Sequence, residues 1–200
     1  MRLKWLALIV AMIMMLGGCA GPKCNYNGKV YDSSEEALKV YGADLNERLA
    51  KITPTDKRKG GKTLIALPNI TMLEENLFAG AKENYTDLEQ SRVRKHLAYT
   101  TARADAYNGF MADALKKRGI FDEVTVTRND APEKAGIAGY DYLIYLSMSG
   151  PYKDQWYIRF GKNAPMPIYL DYSIERSPER DIKRTTSWLM SIEQLVAEVK

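Results

Sequence analysis

The sequence predicts an α/β domain: a mixed β-sheet of about five strands, with one long and one C-terminal helix packed on it and an N-terminal helix ahead of it. Three observations carry the prediction. Short apolar or alternating runs recur after residue 60, each bounded by Gly, Pro or Asp. A single long stretch of helical periodicity separates the first of these runs from the rest. The chain then closes on a second amphipathic stripe.

In chain order, residues 20–32 begin Ala20-Gly21-Pro22-Lys23-Cys24-Asn25-Tyr26-Asn27-Gly28. This stretch is rich in turn formers and reads as a tether spanning 19–32. Ser33 or Ser34 caps a helix starting at Glu35-Glu36, in which Ala37, Leu38, Tyr41, Leu45 and Leu49 repeat at helical spacing. Pro54 ends the pattern, so the N-terminal helix lies within 33–54. The main domain, 63–200, opens with Thr63-Leu64-Ile65-Ala66-Leu67-Pro68, an apolar run after Gly60-Gly61 that reads as a buried strand.

Thr86 and Glu89 form a capping-box pattern at the head of the long helix. Val93, Leu97, Thr100, Ala104, Tyr107, Met111 and Ala114 make its apolar stripe, and Gly119 stops it. Lys95, Arg103, Asp105, Asp113 and Lys117 fall largely elsewhere on the wheel. Phe121 to Arg128 alternates as a half-buried strand, and Asp141 to Ser149 holds a central one around Leu143-Ile144-Tyr145-Leu146. Pro151-Tyr152-Lys153-Asp154 turns the chain into a strand alternating Trp156, Ile158 and Phe160, and Pro167 to Ile174 supplies another. Thr185 to Val199 forms the last helix, with the stripe Trp188, Ile192, Leu195, Val196 and Val199.

The N-terminus carries a different kind of signal. Arg2 and Lys4 precede Trp5 to Leu16, an uncharged apolar run of 12 residues. That length suits the apolar region of a signal peptide and is too short to cross a hydrocarbon core of about 30 Å as a helix. Gly17 and Gly18 then lead into Cys19. Leu16-Gly17-Gly18-Cys19 resembles a lipobox, the processing site of bacterial lipoproteins. The resemblance implies removal of residues 1–18 by cleavage between Gly18 and Cys19. It also implies a diacylglyceryl group on the Cys19 thiol and an acyl chain on the new amine. A thiol suits that position as a strong nucleophile, and small neighbours let extended backbone enter a peptidase cleft. One buried acyl chain anchors weakly, whereas two or three hold firmly. Ala20 follows Cys19. By resemblance to enterobacterial sorting, where Asp at that position retains a lipoprotein in the inner membrane, Ala20 favours the outer membrane with the domain facing the periplasm. An ordinary secretory signal or an uncleaved anchor is the alternative.

Composition narrows the function classes. The net charge of +4 falls to +2 once Arg2 and Lys4 are removed. A balance so near neutrality gives no electrostatic case for nucleic acid. Lys57-Arg58-Lys59 with Lys62 is a local basic run in a Gly-containing turn and reads as a solvated loop, with an anionic-lipid or polymer contact as the alternative. The sequence has two cysteines. With Cys19 committed to lipid, a structural disulfide within the domain is excluded by count. An inert thiol and a disulfide between two copies both remain open.

Catalytic signatures are weak. Gly60-Gly61-Lys62-Thr63 contains the G-K-T of a phosphate loop, yet it precedes a strand instead of opening a helix, and the first Gly of the motif is missing. His96 is the sole histidine and has no companion at metal-ligand spacing. Glu35-Glu36, Glu74-Glu75 and Asp122-Glu123 are adjacent acids, which point in different directions and so do not face one glycosidic bond. No cofactor is expected beyond the covalent lipid on Cys19.

Tyr140, Tyr142, Tyr145, Tyr152, Trp156, Tyr157, Tyr169 and Tyr172 crowd one part of the chain. Alternation sends about half of them into the core. Those on the opposite face, near Arg159 and Lys162, would form a partner or ligand surface, for which Tyr152, Trp156, Tyr157 and Arg159 are the candidates.

The domain from Thr63 to about Ile174 is similar to a group of periplasmic lipoprotein domains. The group comprises the TolB N-terminal-like fold, the curli-secretion lipoprotein and the penicillin-binding-protein activator lipoproteins. Leu64-Ile65-Ala66-Leu67-Pro68, the corner from Ala114-Leu115 to Gly119-Ile120-Phe121, and Tyr140-Asp141-Tyr142-Leu143-Ile144 carry the similarity. The lipobox, the single domain and the missing catalytic signature together point to a non-catalytic accessory or scaffold of an envelope assembly or export system, with a membrane contact through lipid, an envelope protein partner and oligomers open. The alternative is a glycan- or lipid-binding lipoprotein that uses the aromatic hairpin surface. A hydrolase is a third, weaker option.

Overall fold

A run of six consecutive buried residues, Thr63 to Pro68, cannot be a half-solvated strand and must sit inside a sheet. In the computed structural model, which describes residues 24–82, 86–149, 154–169 and 178–199, it does. This strand, β3 (Lys62–Pro68), lies between β4 (Glu123–Asn129) and β5 (Tyr142–Leu146), parallel to both. β6 (Trp156–Phe160) pairs antiparallel with β5, and the two-residue β7 (Met166–Pro167) pairs antiparallel with β6. The five-stranded order is β4-β3-β5-β6-β7. Ahead of it, β1 (Cys24–Tyr26) and β2 (Lys29–Tyr31) form a separate antiparallel hairpin.

Parallel neighbours need a long crossover between them. Two helices supply the one from β3 to β4. Numbering follows the chain: α1 (Ser34–Lys51) comes before β3, then α2 (Ile70–Lys82) and α3 (Asp87–Arg118), with α4 (Pro178–Glu198) at the end. α1 starts at Ser33, whose hydroxyl accepts from the Glu36 amide at 3.1 Å. α3 stops at Gly119, whose φ of +73° suits a residue with no Cβ.

The four helices cover one face of the sheet. Ile65, Leu67, Ile144, Leu146, Trp156, Ile158 and Phe160 point into a core shared with Tyr41 and Leu45 of α1 and Leu73 of α2. Phe110, Met111 and Leu115 of α3 join them, as do Trp188, Ile192 and Val196 of α4. Trp156 and Trp188 meet edge to face at 5.2 Å. Two ties hold α3 to its neighbours. Arg118 pairs with Glu193 of α4 at 2.6 Å, and Lys117 donates to the Leu49 carbonyl near the end of α1. The opposite face is covered differently, by the segment between β4 and β5. There Leu64, Ala66, Leu143 and Tyr145 pack beneath Ala135, with Ile137, Tyr140 and Tyr157 at the margin.

Several expectations need correction. Residues 24–31 are not a tether: they form the β1–β2 hairpin, with Cys24 and Tyr26 buried. Asn27 and Gly28 both take positive φ, at +52° and +74°, which is the backbone of a tight two-residue hairpin turn. Helix α2 was not anticipated, although Ile70, Leu73 and Leu77 recur at helical spacing; no acidic residue in its first turn marks its start. In α3 the expected Met111 and Ala114 are buried, but the upper half of the buried stripe runs through Thr101 and Asn108 instead of Thr100 and Ala104. The strand expected over 167–174 is reduced to Met166–Pro167, and its later part lies outside the described residues. α4 starts at Pro178, a turn and more ahead of Thr185.

Trp188 is fully buried at the junction of sheet and helices, so Trp188→Ala should cost about 3–5 kcal/mol. Urea unfolding followed by far-UV circular dichroism measures it. Gly61 has φ +87°, and a Cβ there would sit 2.8 Å from the Asp141 carboxylate. Gly61→Ala should therefore destabilise by about 1–2 kcal/mol in the same assay.

Candidate functional site

Alternation along β6 divides the sequence candidates between two environments. Trp156 points into the helix-side core with Ile158 and Phe160 and is buried. It is therefore removed from the candidate surface, because the two-residue period places it beneath α4. Tyr157 and Arg159 project from the other face, each half-buried. Tyr152, Gly18 and Cys19 lie outside the described residues, as does Tyr172. Of the other clustered tyrosines, Tyr142 and Tyr145 are buried, Tyr140 is half-buried and Tyr169 is 72% exposed.

Register brings Tyr157 opposite Tyr145, and their rings stack at 5.5 Å with an interplanar angle of 19°. Leu143 is opposite Arg159. Above them the segment after β4 makes a single 3₁₀ turn, Pro132–Lys134, and then lays the buried Ala135 against the sheet. Arg159 Nη2 reaches the Ala135 carbonyl at 3.4 Å, while its Nε is buried without a hydrogen-bond partner. Glu133 Oε1 accepts from the Ser149 hydroxyl at 2.8 Å, and its Oε2 is likewise buried and unpartnered. Burial raises the Tyr145 hydroxyl above its usual range, with Arg159 opposing and Tyr157 and Glu133 adding to the shift.

The face thus holds two stacked tyrosines flanked by a guanidinium and a carboxylate, of which Arg159 Nε and Glu133 Oε2 have no hydrogen-bond partner. Such a set recognises polar ligands with flat or hydroxyl-bearing surfaces, a sugar ring or a peptide edge. Sequence alone picked out Tyr157 and Arg159, named Tyr145 only as one of the clustered aromatics, and missed Glu133 and Ser149. The register of β5 against β6 was the signal that joins Tyr145 to the site.

The phosphate-loop resemblance dissolves in the structure. The Gly61 amide donates to Asp122 Oδ2 and the Lys62 amide to Asp141 Oδ2, each at 2.8 Å. Thr63 is wholly buried in β3. These amides are occupied by the protein's own carboxylates. Of the basic run beside them, Arg58 pairs with Asp122 at 2.8 Å and Lys59 donates to the Val199 carbonyl. The side chain of His96 is outside the described set. Among the described residues no group of three His, Cys, Asp or Glu side chains has the geometry to hold a metal ion.

A second polar group lies on the helix side and had no sequence signal beyond scattered Tyr and Arg. The Tyr26 hydroxyl donates to Asp44 at 2.7 Å, and its ring meets Tyr41 edge to face at 5.3 Å. The Tyr107 hydroxyl lies 3.0 Å from that of Thr185 on α4. Burial pushes Tyr107 up to about 12, against the opposing influence of the Thr185 contact. Burial also raises Tyr41, helped by the Asp181 charge, and raises Tyr26, helped by its bond to Asp44.

These shifts set a pH dependence. A tyrosine whose pKa is raised by folding contributes stability that is intact below its unfolded value of about 10. That contribution is lost as pH rises through the folded value. Stability should therefore be level to about pH 9 and fall from about pH 10 upward. Tyr107→Phe should flatten part of the fall in urea unfolding across pH 8–12.

Compared with known proteins, the chain matches no family model, no curated protein and no solved structure.

Proposed function

We propose that the chain is a lipoprotein of the bacterial envelope, anchored through diacylglycerol and an N-acyl chain on Cys19. It would act as a non-catalytic accessory or scaffold of an envelope assembly or export system. The observation that carries the reading is the register of Arg2 and Lys4, the apolar run Trp5–Leu16, and Gly17-Gly18-Cys19. Ala20 supports an outer-membrane, periplasm-facing address over the inner membrane. The hairpin and α1 follow closely, so the folded domain would stand near the bilayer surface. The helices cover one sheet face, and Tyr157 and Arg159 lie at the margin of the other, where a protein partner could reach them.

A second reading has its own observation. The stacked Tyr145–Tyr157 pair beside Arg159 and Glu133 suits a glycan as well as a protein edge.

In-cell crosslinking of a C-terminally tagged chain, followed by mass spectrometry, tests the first reading. An envelope partner should be recovered with the wild type and be lost with Cys19→Ser, which should also leave the membrane fraction. Tyr157→Ala with Arg159→Ala should weaken partner recovery at least tenfold, a loss of about 1.4 kcal/mol or more. If no partner rises above background while the double variant loses binding to envelope glycans, the second reading replaces the first. Unchanged fractionation of Cys19→Ser would contradict the anchor.

A further inference from the structure

A guanidinium is charged at every accessible pH, so burying one without a counter-charge is unfavourable. Arg48 on α1 is buried with one of its donors unused. The residue is only 8% exposed, and its Nη1 is buried with no hydrogen-bond partner. Among the described residues Arg48 takes part in no ion pair, although Asp44 lies one helical turn away. Asp44 is instead engaged by the Tyr26 hydroxyl at 2.7 Å.

Arg48 is not isolated from other cations. It lies close enough to Tyr26 and Tyr107 to favour their ionised forms. Arg103 of α3 sits over the Tyr41 ring at 5.9 Å and over Tyr99 at 5.6 Å. Arg184 of α4 sits over Tyr107 at 5.6 Å. Tyr41 and Tyr107 are themselves close enough to influence one another. Guanidinium groups from two helices therefore lie over the rings of one tyrosine pair, and the charges of Arg48 and Asp181 both reach Tyr107. The Tyr99 hydroxyl in the same group is also buried without a hydrogen-bond partner. Asp44 and Asp181 leave the group with a net positive charge.

We propose that this group of side chains on α1, α3 and α4 binds an oxyanion, the phosphate group of a small ester or of a lipid headgroup, with Arg48 as its buried anchor and Arg103 and Arg184 beside it. The unpartnered Nη1 donates to the anion, and the bound charge offsets the cationic excess that Asp44 and Asp181 leave. The Tyr107 hydroxyl, kept neutral at physiological pH by burial, is already engaged by the Asp181 carbonyl and the Thr185 hydroxyl, so the guanidinium groups are the donors to the anion. This inference does not depend on the proposed envelope role.

The test follows the thermal unfolding midpoint of the full chain in nonionic detergent, titrated with sodium phosphate against sodium chloride at matched ionic strength. A site gives a saturating rise of about 2–4 °C with phosphate alone. Arg48→Met should remove the response and raise the phosphate-free midpoint, because it removes an unpaired buried charge. Arg103→Gln and Arg184→Gln are half-exposed positions that keep the test open if Arg48→Met does not fold, and each should cut the response at least twofold. Glycerol phosphate and phosphatidylglycerol vesicles, with phosphatidylcholine vesicles as control, separate the sources. A response to the soluble ester alone assigns a free ligand, and one to the anionic vesicles as well assigns a headgroup. Equal midpoints in phosphate and chloride, or a full phosphate response in Arg48→Met or in both Gln variants, would overturn the proposal.

Discussion

The structure depends on β3 being buried on both faces. Thr63 to Pro68 offers no side that tolerates water, so the chain must cover it twice. Parallel pairing with both β4 and β5 means that neither neighbour can follow by a tight turn. The first crossover, through α2 and α3, covers one face. The second, through the 3₁₀ turn and Ala135, covers the other with far less material. This asymmetry separates a thick helical side from a thin loop side.

Each side then has its own chemistry. On the thin side, small coverage leaves Tyr157 and Arg159 half-buried, and Tyr145 is held beneath them by strand register. On the thick side, α1 and α4 meet α3 away from the sheet, where their contacts turn from Ile and Trp to Tyr, Arg and Thr. A protein that only needed stability would fill that space with apolar residues, since buried ions seldom add net stability over well-packed isosteres. A polar group with unused donors there is better explained by recognition than by folding.

Much of the fold was legible in the sequence, for reasons that can be named. β6, α1 and α4 bury one face against a core, so their period shows directly, while β3 and β5, buried on both faces, show as continuous apolar runs. The mixed sheet and the C-terminal helix followed from that. The hairpin at Cys24–Tyr31 was overlooked although Asn27-Gly28 is a strong turn signal, because its strands are three residues each. α2 was missed although Ile70, Leu73 and Leu77 keep a helical period, because nothing acidic marks its first turn. The candidate site was half legible. Alternation put Tyr157 and Arg159 on one face, and the same rule, applied to Trp156, places it in the core. Tyr145, Glu133 and the Arg48 group depend on register and helix packing, which no local pattern encodes.

The most direct test of the account is the intact mass of the chain recovered from bacterial membranes. The account predicts a polypeptide starting at Cys19 and heavier than residues 19–200 by a diacylglyceryl group plus one acyl chain, the excess vanishing in Cys19→Ser. A mass matching an unmodified polypeptide, or an N-terminus still carrying residues 1–18, would contradict it.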